Sequence, residues 1–463
     1  MNTLTRAEAF AGAGETHTVT TPARERLKLL FDPGSFVEID RFASVGDDPC
    51  GVVCGYGAVG GSLACAFAQE GGGLGKMQAD KIAKLYDLAG KTGVSVVGIY
   101  DSNGARVSEG VGALEAYGQL LLRINNLSGV VPQIAVVAGN CTGACAMLAC
   151  SADFLVMSGD SRFFMTPPAL VEDNTPDTGS PDSASKAGIA HILADTVDGA
   201  IERARKLLSY LPVNNLAALP SLNFAEPATV LAPGDCQGIR PATLAFSIFD
   251  ADSLVELLDG FGSSAYTALG SLGGNPVGVA GTIGKLDADS CVKLAKVVSV
   301  CDAFQIPVIT LVNSDGFAPS AKAELSGSVR EMAKLGHVYA EATTPKASVI
   351  TGKAYGAAYI ALASRAANSD YTIAWPEAII SALEPAGAVE LLYADEISAE
   401  RSRETILRDY LAETASPLAG AKSGYLDDVV SPEQTRASLL SAMELLSAKR
   451  VQRSPKKHSN LPL

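Results

Sequence analysis

A buried strand, a tight turn and a small-residue helix are written twice in this chain, and the duplication limits what it can fold into. The first copy is Val131 to Asp153, VPQIAVVAGNCTGACAMLACSAD. It predicts a strand from Ile134 to Ala138, a turn from Gly139 to Gly143 and a helix from Ala144 to Ser151. The second is Thr344 to Asp370, TPKASVITGKAYGAAYIALASRAANSD. Pro132 matches Pro345, Gly139 matches Gly352 and Gly143 matches Gly356, each pair 213 apart (345 − 132). Upstream, VVGIYDSNGA at Val96 to Ala105 matches VITLVNSDGF at Val308 to Phe317, with Gly104 and Gly316 212 apart (316 − 104). A period of this size is that of a domain, not of a solenoid repeat. Two homologous α/β domains are expected, residues 1–225 and 226–463. No charge occurs between Arg123 and Asp153. Even so, Pro132, Gln133, Gly139, Asn140, Thr142 and Gly143 break the apolar run into pieces shorter than the roughly 20 residues of a membrane span.

The turns have chemical potential. Gly143 and Ala144 carry almost no side chain, so a ligand can approach their backbone N–H groups. Those groups lie at a helix start, where donors are unpaired and the dipole is positive. Such a place can hold a developing oxyanion. Close helix-on-sheet packing also selects Gly and Ala, and one copy alone does not decide between the two. The second copy presents the same device at Gly356, Ala357 and Ala358. Ligands of α/β sheets gather at the carboxyl ends of strands. Candidate cofactor contacts there are Gly104, Ala105, Gly316, Phe317 and Tyr355.

The rest of the chain fills in the plan. Thr21 to Asp40 predicts a helix with Leu27, Leu29 and Leu30 on one side, then a strand. Arg24, Arg26 and Lys28 face either an anionic ligand or water. Val52 to Gln69 alternates as a hairpin about Gly60-Gly61. The Gly-rich Glu70 to Gly75 opens a helix from Lys76 to Gly93 and is a possible phosphate cradle. It lacks the ending of a P-loop. A strand from Val94 to Tyr100, a helix from Leu114 to Leu127, a polar excursion from Asp173 to Ala187 and a helix from Asp198 to Tyr210 complete the first half. Leu211 to Pro241, with Pro212, Pro220, Pro227, Pro233 and Pro241, reads as the interdomain segment. The second half repeats the pattern: strand Pro276 to Gly284, helix Ser290 to Phe304, strand Val308 to Asn313, loop Ser314 to Ser326, helix Val329 to Ala342, strand Ala347 to Thr351 and helix Gly356 to Ala367. Trp375 is expected in the core. Lys449, Arg450, Arg453, Lys456 and Lys457 form a basic tail, expected to be solvated.

Composition excludes some functions. The net charge of −14 argues against nucleic-acid binding. Nine cysteines in no metal spacing and four histidines leave no zinc pattern, so no metal is expected. Small buried thiols and the absence of a signal-like apolar core at the start point to a cytoplasmic protein without a transmembrane segment.

The segments TPARERLKLLFDPGSFVEID, SGVVPQIAVVAGNCTGACA, LVNSDGF, AEATTPKASVITGKAYGAAY and KKHSNLPL span both halves. In these the chain resembles the carboxyltransferase subunit of biotin-dependent acyl-CoA carboxylases, the propionyl-CoA and acetyl-CoA carboxylase β-type family, and the α subunits of related decarboxylases. The resemblance implies two tandem crotonase-like domains, each a ββα superhelix, with acyl-CoA on the first and biotin on the second. It implies a hexamer, a trimer of dimers, in which one subunit's first domain faces another's second. It also implies a biotin carboxyl carrier protein and a biotin carboxylase or decarboxylase subunits as partners. This chain has no biotin attachment motif of its own. In such proteins a thioester enolate and the ureido oxygen of biotin are held by backbone donors. Those residues here are Gly143 and Ala144, and then Gly356, Ala357 and Ala358. No side-chain triad is required, and His191 has no spacing that argues for one.

The chain departs from the family pattern. Ala144 and Ala357 stand where a second glycine is usual, and the loop after Phe317 reads Ala-Pro-Ser-Ala-Lys. Ile360 occupies a position where acetyl-type members carry Ile and propionyl-type members Asp, which points to a short acyl chain. Two other readings stay open. One is a biotin-independent crotonase-type hydratase or hydrolase, which needs a Glu or Asp beside Gly143; none is adjacent in sequence. The other is a non-catalytic assembly subunit.

Overall fold

The Gly60-Gly61 pair makes the turn that its sequence asks for. Both residues have positive φ, 57° and 82°, as a tight hairpin between twisted strands requires. The structure is a computed structural model describing residues 5–7, 10, 19–46, 48–166, 168–229, 231, 238–367, 369–398, 400–452 and 454–462. Pro233, Arg453 and most of the first 18 residues lie outside that set. The chain divides into two compact units, Met1–Ala218 and Leu219–Leu463.

Unit 1 begins with α1 (Pro22–Leu30), whose N-cap Thr21 accepts from the Arg24 N–H. Then come β1 (Val37–Ile39), the hairpin β2 (Val52–Val59) and β3 (Ser62–Gln69), α2 (Lys76–Thr92), β4 (Ser95–Ser102), α3 (Val111–Leu127), β5 (Gln133–Thr142), α4 (Ala144–Cys150), β6 (Phe154–Ser158), β7 (Arg162–Phe164), α5 (Pro181–Lys186), β8 (Ile192–Ala194) and α6 (Val197–Leu208). The sheet runs β1-β2-β3-β4-β5-β6-β8, with β7 added to β5. The hairpin is antiparallel, and β3 through β6 pair in parallel. The first six residues of both β4 and β5 are buried, since parallel strands under helices have no solvated face. Phe67, Tyr86, Tyr100 and Tyr117 fill the layer between sheet and helices.

Unit 2 repeats this order. It contains α7 (Pro241–Ile248), β9 (Val255–Glu256), the hairpin β10 (Ala265–Leu272) and β11 (Asn275–Thr282), β12 (Gly284–Leu286), α8 (Ala288–Ala303), β13 (Val308–Phe317), α9 (Ala321–Leu325), α10 (Ser328–Glu341), β14 (Lys346–Tyr355), α11 (Gly356–Leu362), β15 (Tyr371–Ala374) and β16 (Ile379–Ser381). After these come α12 (Pro385–Tyr393), α13 (Arg403–Glu413), α14 (Pro417–Lys422), β17 (Asp428–Val429) and α15 (Thr435–Leu446). The sheet order is β9-β10-β11-β13-β14-β15-β17. Trp375 is 2% exposed and its Nε1 donates to Thr435 Oγ1 at 2.8 Å, which anchors the last helix.

Several expectations need correction. Strand β5 runs on to Thr142, so Gly139 to Thr142 is extended, because β7 gives Asn140 to Thr142 a ladder partner. By the same logic β14 reaches Tyr355 and β13 reaches Phe317, each held by a short added strand. The hairpin strand β10 and helix α7 are absent from the sequence reading. Within the expected polar excursion, Ser180 caps the short helix α5. Leu29 is 46% exposed and faces away from Leu27 and Leu30. The tail is not all solvated, because Lys449 Nζ reaches Asp370 at 2.7 Å and the Thr344 carbonyl at 3.1 Å.

Candidate active site

Gly143 sits between β5 and α4 with φ 62° and ψ −136°. Side chains avoid that conformation, which explains the glycine. Its N–H donates to the Phe164 carbonyl at 2.8 Å. This corrects the expectation that Gly143 is a free donor: the added strand β7 has taken it. The next N–H, that of Ala144, stands at the first helical position, where a helix offers no acceptor. Gly139 is required for a different reason. A Cβ there would collide with the Asp101 carboxylate.

The exit loop of β4 lies against this turn. Ser102 registers with Cys141, and a Cβ on Gly104 would come within 3.2 Å of the Thr142 carbonyl oxygen. Gly104 has φ 96°, and its N–H donates to Ser102 Oγ at 3.2 Å. Leu74 N–H donates to the Gly104 carbonyl, and the Leu74 carbonyl accepts from Arg106 N–H, both at 2.8 Å. Ala105 between them therefore turns its own N–H the other way. Among the described residues that N–H has no backbone acceptor. Two main-chain donors on adjacent loops, Ala105 and Ala144, are thus left out of the ladders and helices of unit 1.

Unit 2 repeats the main features of the arrangement. Gly316 has φ 92°, and its N–H donates to Ser314 Oγ at 3.2 Å. Leu286 bridges Phe317 in parallel, and its carbonyl accepts from Ala318 N–H at 2.8 Å. Gly356 has φ 55°, and a Cβ at Gly352 would collide with the Asn313 side chain. By repeat register Phe317 and Ala357 correspond to Ala105 and Ala144. Ala357 is exposed, whereas Ala358 is fully buried. Tyr355 closes β14, and burial, with Asp315 and Glu384 nearby, pushes its hydroxyl pKa up to about 12. Ile360, 59% exposed, stands on the outer face of α11.

The surroundings of the two turns differ in polarity. In unit 1, Arg26 holds Asp101 at 3.0 Å and also donates to the Gln69 carbonyl. Gln69 Oε1 in turn accepts from Asp101 N–H at 3.1 Å. In unit 2 the matching residue is neutral Asn313, fixed by main chain: its Oδ1 accepts from Lys353 N–H at 3.0 Å. One step along, the order reverses. Asn140 donates to Asn103 at 3.0 Å in unit 1, while Lys353 pairs with Asp315 at 2.8 Å in unit 2. Sequence reading missed these pairs. The signal was available in the 212 and 213 offsets.

Other expectations resolve locally. Arg24 pairs with Glu38 and Lys28 with Glu25, so neither waits for a ligand. The proposed phosphate cradle already holds an anion, because Glu109 Oε2 accepts from Lys76 N–H at 2.7 Å at the helix start. A cavity of about 120 Å³ lies over that Gly-rich loop, between Gln69, Ser102 and Arg106. His191 is structural: its Nδ1 accepts from Leu155 N–H at 3.1 Å and its ring meets Phe154 edge-on. Cys50, Cys54, Cys65, Cys141, Cys145, Cys291 and Cys301 are buried thiols. Among the described residues no three His, Cys, Asp or Glu side chains are placed to hold a metal. No helix among them is long and apolar enough to cross a membrane.

The carboxyl transferase domain model matches residues 20–461. The chain belongs to the carboxyltransferase family. The methylmalonyl-CoA decarboxylase α subunit of Veillonella parvula is 36% identical over 95% of this chain and 93% of its own length. The propionyl-CoA carboxylase β chain of Saccharopolyspora erythraea is also 36% identical, over 95% and 90%. Transcarboxylase 12S, solved as a hexamer with methylmalonyl-CoA and methylmalonic acid bound, superimposes with a TM-score of 0.89 at 31% identity, covering 98% of this chain and 95% of that one. The fold is the two-domain, crotonase-like carboxyltransferase fold, and the protein is a carboxyltransferase enzyme.

Proposed function

We propose that this carboxyltransferase moves a carboxyl group between biotin, borne by a separate carrier protein, and the α-carbon of a short-chain acyl-CoA. The observation behind this reading is the pair of unused N–H groups at Ala105 and Ala144, repeated in register at Phe317 and Ala357. In unit 1 the pair receives the thioester oxygen as negative charge develops on it. A preorganised donor of this kind is worth about 10²–10³ in rate. In unit 2 the start of α11, with Gly356, Ala357 and Tyr355, receives the ureido oxygen of biotin. Small residues at that start leave room for a bicyclic ligand, so the donor set fits the group. Biotin supplies the ureido nitrogen that accepts or releases the carboxyl group. The chain's own residues bind and orient, and the family members that share this fold lend the reading their chemistry.

Carboxylation and decarboxylation run through the same half-site in opposite directions. The equal identity to a carboxylase β chain and a decarboxylase α subunit keeps decarboxylation as the second reading. We further infer a biotin carboxyl carrier protein and a biotin carboxylase or decarboxylase subunits as partners, a hexamer built as a trimer of dimers, and a cytoplasmic place of work. Exposed Val107, Val111, Leu114 and Leu122 along α3 and its entry are the kind of apolar surface that assembly covers.

Decarboxylation of malonyl-CoA or methylmalonyl-CoA with free biotin tests the proposal. The wild type is expected to show biotin-dependent turnover, and Gly143→Val to lose about 10²-fold or more. Wild-type turnover indifferent to biotin would end this reading.

A further inference from the structure

The two repeats differ where a carboxylate would matter. Asn103–Asn140 and Asp315–Lys353 occupy matching positions, each joining the exit loop to the strand that carries the turn. The first pair is neutral. The second places an ammonium three residues ahead of Gly356. Lys353 and Tyr355 lie on the same face of β14, and Lys353 Nζ stands 6.0 Å from the Tyr355 ring centroid. Its side chain is 49% exposed and that of Asp315 31%. An ion pair this exposed contributes little to folding. A neutral amide pair performs the same join in unit 1, so the join itself does not require charge.

Chemistry gives the charge a use. In the carboxylation direction the incoming acyl thioester is neutral around its α-carbon, which bears a carboxylate only after transfer. A urea that has accepted a carboxyl group is an anion. We propose that Lys353 is the substrate-contacting cation of the second turn, exchanging Asp315 for the carboxylate of the N-carboxylated urea, and that Asp315 parks and orients it between visits. The proposal rests on the assignment of biotin to unit 2. It makes the Asp315–Lys353 pair one charge difference between the two turns that serves their reactants: in the carboxylation direction the first turn takes a neutral acyl thioester, the second an anionic urea. Glu384, which also faces Tyr355, adds negative charge. Lys353 must therefore supply the attraction.

The test grafts one repeat's pair onto the other. The double variant Asp315→Asn/Lys353→Asn rebuilds the amide pair of unit 1. In the full-length protein it is expected to keep its melting temperature and its KM for malonyl-CoA. With free biotin, whose urea gains its carboxylate only on transfer, its kcat should fall, by about tenfold or more in kcat/KM for biotin, the loss expected when a hydrogen bond to a charged group is removed. Lys353→Arg should recover most of that loss. A second readout uses ureidoacetate, a stable anionic urea, and its neutral amide, with binding followed by ligand-observed NMR. The wild type should prefer the anion, and the graft should show no preference. A graft with unchanged kcat/KM for biotin, or with the wild-type preference for ureidoacetate, overturns the proposal. If the wild type prefers ureidoacetate but shows no biotin-dependent turnover, the biotin assignment fails while the anion site stands.

Discussion

Alanine in place of glycine is tolerated at residue 144 but would not be at residue 143, one position earlier. Gly143 has φ 62° with ψ −136°, a sparsely populated combination that costs an L-residue on the order of 1–3 kcal/mol, whereas Ala144 is already helical and keeps its N–H. The departure from the usual two glycines therefore changes shape by one methyl and leaves the donor in place. Ile360 is a residue of the opposite kind, with an exposed side chain and no packing role. Ile360→Asp should leave stability within about 0.5 kcal/mol, as surface changes do. It should shift the ratio of turnover on acetyl-CoA to that on propionyl-CoA. An unchanged ratio would remove Ile360 from the list of specificity residues.

Helices α2 and α8 each bury a lysine at matching positions, Lys81 and Lys293. Each ammonium donates to a single backbone carbonyl, Val52 at 2.8 Å and Phe261 at 2.9 Å. Burial lowers the Lys293 pKa to about 8, although Glu256 and Asp259 pull the other way. The unfolded chain, with a lysine pKa near 10.4, holds more protons between those two values. Stability therefore rises with pH across about 8 to 10.4, and the burial penalty is present in full below it. Lys293→Met should remove that rise and stabilise the protein at pH 7. Urea midpoints from pH 7 to 10 for both proteins would show it, and parallel curves would refute it. The element scale also shows what the sequence concealed. The length of β5 and the fate of the Gly143 N–H depend on β7, some 20 residues later, whose three residues carry no periodicity worth reading. Arg26 and Asp101 meet across 75 residues, and neither segment names the other.

For the molecule as a whole, the duplication was legible because positive-φ glycines are forced choices that recur at fixed distances. Gly104 with Gly316 and Gly143 with Gly356 keep both spacing and conformation. The helices and parallel strands followed from apolar runs and caps. Hairpin strand β10 escaped although Gly273-Gly274 has the same positive φ as Gly60-Gly61, because few polar residues alternate along it to betray a strand. If the two units serve different reactants, their turns should fail separately. Gly143→Val is expected to weaken acyl-CoA binding measured by calorimetry, while Gly356→Val leaves that affinity alone and abolishes transfer. Equal loss of acyl-CoA affinity in both would mean that the division of labour is wrong. The donors at these turns belong to the peptide backbone, and that has an evolutionary corollary. Amide groups are common to nearly all amino acids, so descent can rewrite the letters around such a centre while the contour of the chain endures. Kinship among enzymes of this design should be sought in where the backbone bends, long after the spelling has drifted.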